Sequence, residues 1–238
     1  MRIAIVNLGG NQGKTTLAVN LFAPRMPGAK ILAVETINAA GGDLGVDVEK
    51  LRGEQFSRIY AELAAADDLI LDVGASNIED FLLGLEKFED GHDEVDLFVI
   101  PATPAKKERA EAVKTAVMLS DLGVEASRIA IVFNRTRDVG GEFADVLNFA
   151  KQTGKVTANP GCFIPDEDLF GLMADRKINI AQALADTTDW KAELKAAADD
   201  EKKFNKAATG MEIQKTAKTV NRQLQHVFDL LTAGIEKG

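Results

Sequence analysis

The sequence predicts an α/β fold, a doubly wound, mostly parallel sheet flanked by helices and followed by C-terminal helices. Three observations predict it. The chain opens with an apolar run, Ile3-Ala4-Ile5-Val6, that passes through a glycine-containing loop into a helix former, Leu17-Ala18-Val19. Apolar strand patterns without polar alternation, as in strands buried on both faces, then alternate with helical patterns. The last fifty residues carry no strand pattern but hold a long apolar seam at helical spacing.

The elements follow in order. The helix after the first loop closes at Pro24 and Pro27, and Lys30–Glu35 is the second strand. Gly41–Gly45 reads as a loop and Val48–Ala66 as a helix. Leu69–Gly74 is the third strand, Ile78–Phe88 a helix, and Val95–Pro101 the fourth strand. Lys106–Leu122 is a long helix with Ala110, Val113 and Val117 at helical spacing, Ile129–Asn134 the fifth strand and Gly161–Pro165 a short sixth. Such β–α alternation implies right-handed crossovers in a parallel sheet. Ligands bind beyond the carboxyl ends of such strands, where Gly10, Glu35, Asp72, Pro101 and Asn134 are expected to gather. Residues 1–188 form one domain on this reading, and 189–238 a helical extension packed on it.

The opening stretch carries the chemistry. Strand, loop and helix in that order are the context of a phosphate-binding loop, here Gly9-Gly10-Asn11-Gln12-Gly13-Lys14-Thr15-Thr16. Glycines let successive backbone N–H groups turn inward, and the following helix N-terminus adds partial positive charge, so a di- or triphosphate is the natural guest. Lys14 is expected to reach the outer phosphates and the Thr15 hydroxyl to ligate Mg²⁺. The strict spacing G-x-x-x-x-G-K-[ST] asks for glycine at position 8, where this chain has Leu8.

Asp72 is the second chemical signal. An apolar strand ending in Asp, then Val73-Gly74-Ala75, fits a carboxylate that orders the Mg²⁺ shell; a strand-end Asp that caps the following turn is the plainer alternative. At the fifth strand, Asn134-Arg135-Thr136-Arg137-Asp138 lacks the lysine and the aspartate spacing of a guanine reader. Asn134 otherwise reads as a turn residue bonding its own backbone, and Arg135 and Arg137 as solvated loop charges.

The run GKTTLAVNL, with its glycine pair close to the Gly-Lys-Thr, resembles the deviant Walker A loop of the ParA/MinD family of P-loop ATPases, and the chain resembles most closely the StbB-type plasmid stability proteins within it. The resemblance covers roughly the first 185 residues. It implies a P-loop NTPase fold, ATP/ADP and Mg²⁺ as ligands, Asn134 at the adenine, and the loop Pro165-Asp166-Glu167 closing over the ring. It also assigns Thr15 and Asp72 to the metal, and Lys14, Asp72 and Glu35 to catalysis. Three positions depart from the family. Gly9 stands where a signature lysine reaches across a dimer to the partner's nucleotide. In Glu35-Thr36-Ile37-Asn38, Ile37 replaces the aspartate that holds the attacking water. Asn11 stands where glycine is usual. Ground-state binding needs only Lys14, Thr15 and the loop backbone, whereas hydrolysis also needs transition-state charge stabilisation, so slow turnover is expected. Lys106 and Lys107 are candidate replacements for the missing cation, with exposed first-turn helix positions as their plainer reading.

Composition agrees with a cytoplasmic domain of enzyme size. The net charge of −9 does not draw the chain as a whole to DNA or anionic lipid. One cysteine, Cys162, excludes an internal disulfide framework and reads as a small buried apolar side chain. The N-terminus runs directly into a strand, without an apolar stretch long enough for a leader or a membrane span. Charge is uneven: residues 1–188 hold 19 basic and 29 acidic side chains, the remainder 9 and 8. There, Lys202, Lys203, Lys206, Lys215, Lys218 and Arg222 oppose one acid, Glu212, beside a seam of Ile213, Ala217, Val220, Leu224, Val227 and Leu231. The seam fits a helix packed on the sheet, a dimer or partner seam, or an amphipathic helix touching membrane or, weakly, DNA.

The expected function is an ATP-dependent switch with weak ATPase activity in plasmid stability, segregation or positioning. It is expected to work as a nucleotide-dependent homodimer with a plasmid-encoded partner protein. The alternatives are a hydrolysis-deficient nucleotide-binding scaffold serving conjugation and, more remotely, a dethiobiotin-synthetase-like ligase, for which no substrate-site motif is seen.

Overall fold

The computed structural model describes residues 1–35, 48–52 and 55–235. Thr36, Ile37 and Asn38 and the Gly41–Gly45 loop lie outside them. Seven parallel strands form one sheet in the order β3-β2-β4-β1-β5-β6-β7. They are β1 (Arg2–Ile5), β2 (Lys30–Val34), β3 (Glu49–Leu51), β4 (Leu69–Val73), β5 (Leu97–Ala102), β6 (Ile129–Asn134) and β7 (Phe163–Ile164). The central strand β1 pairs with β4 on one side, Ile5 opposite Asp72, and with β5 on the other, Ile5 opposite Val99. That register brings the loop after β1 level with Asp72.

The chain first fills one half of the sheet and then the other, so the connections run in opposite directions. Right-handed crossovers therefore place the helices after β1 and after β5 on opposite faces. Leu17 of α1 (Lys14–Leu17) belongs to one core layer. Ala112, Ala116 and Leu119 of α4 (Lys106–Asp121) belong to the other. Between β1 and β5 the two loops part, and that crevice is where a doubly wound sheet binds its ligand.

The first face is covered by α2 (Phe56–Ala65), α3 (Ile78–Glu86), α4 and, beyond the short α5 (Val139–Glu142), α6 (Ala144–Thr153). The expected helix over Val48–Ala66 is corrected here: it divides into the edge strand β3 and α2. Edge strands are kept short and charged, which discourages pairing with another chain. The Glu49-Lys50-Leu51 strand fits that description, its Glu49 held by Lys30 at 2.6 Å and Arg58 at 2.5 Å. The helix after the first loop continues from α1 as a π turn over Ala18–Phe22 and a 3₁₀ turn over Ala23–Arg25, and Pro24 sits where the last turn tightens.

The second face is covered by α1, α7 (Leu169–Asp175), α8 (Ile180–Ala185) and α10 (Glu201–Thr232), with α9 (Trp190–Ala196) packed against α10. Ile213, Ala217, Val220, Leu224, Val227 and Leu231 of α10 are all buried. Their 4-3-4-3-4 spacing puts one stripe of the helix on the sheet layer, where Phe22 meets Phe228 edge-on. Arg25 ties the start of the chain to this helix, donating to the Asn221 carbonyl at 3.0 Å and its Oδ1 at 2.6 Å. Gly210 allows the close approach of Trp190, whose ring a Cβ there would strike. Among the described residues no helix is long and apolar enough to cross a membrane.

Candidate functional site

At the carboxyl end of β1 the backbone turns through two left-handed residues, Asn11 at φ 57° and Gly13 at φ 89°. Asparagine tolerates that region, and Gly13 needs its missing side chain for a second reason. A Cβ there would collide with Asn134 Nδ2, which itself donates to the Gln12 carbonyl at 2.8 Å. β6 thus clamps the loop from the side. From β5 a second clamp acts: the Gln12 side chain, almost fully buried, accepts from Thr103 N at 3.1 Å and Oγ1 at 2.8 Å. Asn7 Nδ2 donates to the Pro101 carbonyl at 2.6 Å, while its Oδ1 accepts from Gly9 N at 2.7 Å. The loop is held open by side chains rather than by its own collapse.

Into this loop points Lys14. Its Nζ donates to the carbonyls of Gly9 at 2.8 Å and Asn7 at 3.2 Å. Burial pulls its pKa down, against the pull of the Asp72 and Glu111 carboxylates. Thr15 Oγ1 donates to Asp72 Oδ2 at 2.6 Å. Burial pushes the Asp72 carboxyl above the usual range, and the nearby Glu35 charge adds to that, while the Thr15 hydrogen bond and Lys14 oppose it. Lys14 and Thr15 of the loop, Glu35 after β2 and Asp72 of β4 therefore share one charged neighbourhood.

These residues fit a divalent cation. Glu35 Oε2 is buried and has no hydrogen-bond partner among the described residues, and its ion pair with Lys50 is long, at 3.8 Å. A buried carboxylate oxygen with only a long ion pair, beside a second, desolvated carboxylate, can take further positive charge, and hard oxygen donors suit Mg²⁺. Among the described residues no cluster of three His, Cys, Asp or Glu side chains forms a metal cage. That agrees with an ion whose remaining ligands come from phosphate oxygens and water.

Beside the loop lies a polar cleft of about 230 Å³ lined by Thr16, Asn134, Arg135, Pro165, Asp166 and Glu167, with Phe170 at its floor. The structure thus brings together Asn134, Pro165 and Asp166, three residues assigned from sequence to the base. Arg137 and Glu167 form an ion pair that joins the loop after β6 to the loop after β7.

Other expected site residues fall elsewhere. The Gln12 side chain faces inward, where Thr103 offers two donors to its carbonyl oxygen and its Nε2 donates to the Gly10 carbonyl at 3.3 Å. Lys106 is exposed, and Lys107, 81 % exposed, faces Glu111 at 3.6 Å. Cys162 is buried and its thiol is pushed up to about 11, which leaves it inert at neutral pH. Asn7, Thr103 and Glu111 were not expected from sequence. Asn7, a polar residue directly after an apolar strand, is the one with a visible signal.

No protein-family model and no curated protein sequence matches the chain. Solved structures do. The septum site-determining protein MinD of Pyrococcus horikoshii, complexed with Mg-ADP, superposes with a TM-score of 0.55 at 15 % identity, over 98 % of this chain and 96 % of that one. The MinC:MinD cell division protein complex of Aquifex aeolicus gives 0.54 at 16 % identity, over 76 % and 87 %. Apo McdA of Cyanothece gives 0.51 at 15 % identity, over 88 % and 98 %. The fold is that of a P-loop NTPase. Within that class, the arrangement is the one seen in MinD and McdA, C-terminal helix included.

Proposed function

We propose that this chain is a nucleotide-operated switch that binds ATP with Mg²⁺ and hydrolyses it slowly, in the manner of positioning and partition ATPases. The supporting observation is the convergence of Lys14, the Thr15–Asp72 hydrogen bond and the buried Glu35 oxygen, without a hydrogen-bond partner among the described residues, at a clamped loop. In this reading the loop N–H groups and Lys14 hold the polyphosphate. Thr15, Asp72 and Glu35 would hold Mg²⁺, which would supply neutralisation of the phosphate charge. Asn134, Pro165 and Asp166 line the base site. The MinD relative's Mg-ADP complex supports the same ligand class here. Plasmid stability or segregation is the setting that the StbB-like sequence features favour, with ATP binding altering homodimerisation or affinity for a plasmid-encoded partner.

A second reading keeps nucleotide binding without hydrolysis, as a scaffold serving conjugation. It is favoured by Gly9, which itself carries no side-chain cation to reach a second nucleotide. The deciding measurement is phosphate release from Mg-ATP, with Lys14→Ala as blank. Release above the blank, at a few turnovers per hour, is the expected result. Bound nucleotide without release would replace the switch by the scaffold.

A further inference from the structure

Lys14 and Glu111 approach the same residue of the loop from two sides. The Lys14 ammonium donates to the Gly9 carbonyl at 2.8 Å. The Glu111 carboxylate, from the second turn of α4, lies so close above Gly9 that any Cβ at this position would collide with its Oε2. A side chain at position 9 would have to share this space with the Glu111 carboxylate, the Gln12 amide and Asn7 Oδ1. The other carboxylate oxygen faces Lys107 Nζ at 3.6 Å. That lysine is highly exposed, so the pair is screened and holds Glu111 only loosely. The same turn of α4 is bonded to the loop. Leu8 N donates to Thr115 Oγ1 at 3.1 Å, and Thr115 Oγ1 donates to the Glu111 carbonyl at 2.8 Å. A third link, Gln12 with Thr103, joins the loop to the segment that leads into α4.

From this geometry we infer that Glu111 is a built-in counter-anion of the loop, displaced by the outermost phosphate of a nucleoside triphosphate and passing that displacement to α4. The inference rests on the nucleotide-binding reading above. A terminal phosphate drawn to Lys14 brings like charge toward Glu111, and like charges at contact distance in a partly desolvated site repel strongly. Glu111 has an outward path along Lys107. The Thr115–Leu8 and Gln12–Thr103 bonds make α4 respond to what the loop holds. A diphosphate brings less charge to Gly9 and displaces Glu111 less. The chain would thus distinguish triphosphate from diphosphate through a helix of its own.

The test is calorimetric titration of wild type, Glu111→Gln and Lys14→Ala with Mg-ATP and Mg-ADP. Removing one facing charge is expected to tighten ATP binding roughly tenfold and ADP binding less than about threefold. The readout is the ratio of the two affinities, which a general loosening of α4 would not shift. Equal gains, no gain, or weaker ATP binding by a folded Glu111→Gln protein would overturn the inference and leave the nucleotide reading standing. Failure of wild type to bind either nucleotide would remove both. Independently of any variant, hydrogen exchange over residues 106–115 of wild type is expected to change with Mg-ATP more than with Mg-ADP. An identical response to both would also overturn it.

Discussion

The loop after β1 and the seam of α10 both bury side chains outside the strands, and they do so for different reasons. The seam is apolar throughout, from Ile213 to Leu231, and every buried member of it belongs to one apolar layer. The loop region buries Asn7, Gln12, Lys14, Asp72, Thr103 and Asn134. Apolar burial stabilises the fold directly, at roughly 25 cal/mol per Å². Polar burial of this kind must be offset by hydrogen bonds, and where the offset is incomplete the structure is arranged for something other than its own stability. Asp72, desolvated beside Glu35, and the buried Glu35 oxygen without a hydrogen-bond partner among the described residues mark where the offset is incomplete. The seam makes the fold, and the loop spends some of that stability on a ligand.

If this contrast is right, a substitution at each region should move a different quantity. Lys14→Ala is expected to have the largest effect, lowering ATP affinity by a hundredfold or more, on the order of a lost charge-assisted pair to phosphate. It should leave the unfolding temperature unchanged or raised, because Lys14 is a buried ammonium whose pKa burial already depresses. A large loss of thermal stability, read by circular dichroism, would erase the distinction. Leu224→Ala belongs to the other region. A fully buried leucine truncated in a packed layer costs about 2–5 kcal/mol. Urea unfolding should show that loss, while nucleotide affinity of the protein that remains folded stays within about twofold of wild type.

Asp72→Asn sharpens the contrast through pH. The Asp72 carboxyl titrates higher in the folded chain than in the unfolded one, chiefly because it is desolvated. An acid with a raised folded pKa binds its proton better when folded, so its ionisation costs stability as pH rises above the unfolded value, near 3.8. Nucleotide-free Asp72→Asn is therefore expected to exceed wild type in stability at pH 7, by roughly 0.5–2 kcal/mol as for other relieved functional sites. The gain should shrink as pH falls below Asp72's raised value toward 3.8. Loss of the Lys14 counter-charge keeps it modest. A variant less stable than wild type at pH 7 would show that Asp72 serves the fold first.

Much of both regions is legible in the sequence, for physical reasons that also set the limits. Ile129–Asn134 is read to the residue because five apolar positions end at a polar one, and the seam of α10 because a 4-3 step has one helical interpretation. β3 was missed because Glu49, Lys50 and Leu51 are helix formers, and their strand state is imposed by pairing with β2 across Leu32–Val34. In the site, Lys14, Thr15 and Asp72 carry local motifs. Gln12 does not: its partner Thr103 lies 91 residues away, so nothing local shows which way its side chain turns. Glu111 is invisible for the same reason, since only the fold brings α4 over Gly9.

The smallest expected effect separates the two sides of α10 itself. Lys215, Lys218 and Arg222 are exposed on the stripe opposite the seam, and no acid pairs with them among the described residues. Replacing all three by alanine removes charge but little packing, and alanine favours the helix, so stability should shift by less than about 0.5 kcal/mol per site. These lysines and the arginine are free to meet phosphate, whereas the acidic body of the chain repels it. Retention on DNA at low salt is therefore expected to be weak in wild type and weaker in the triple variant. The salt dependence should flatten by about one unit of log–log slope per lost contact. Equal retention with an unaltered slope would leave the outer stripe as a solvated surface, and the role of α10 would end at its seam.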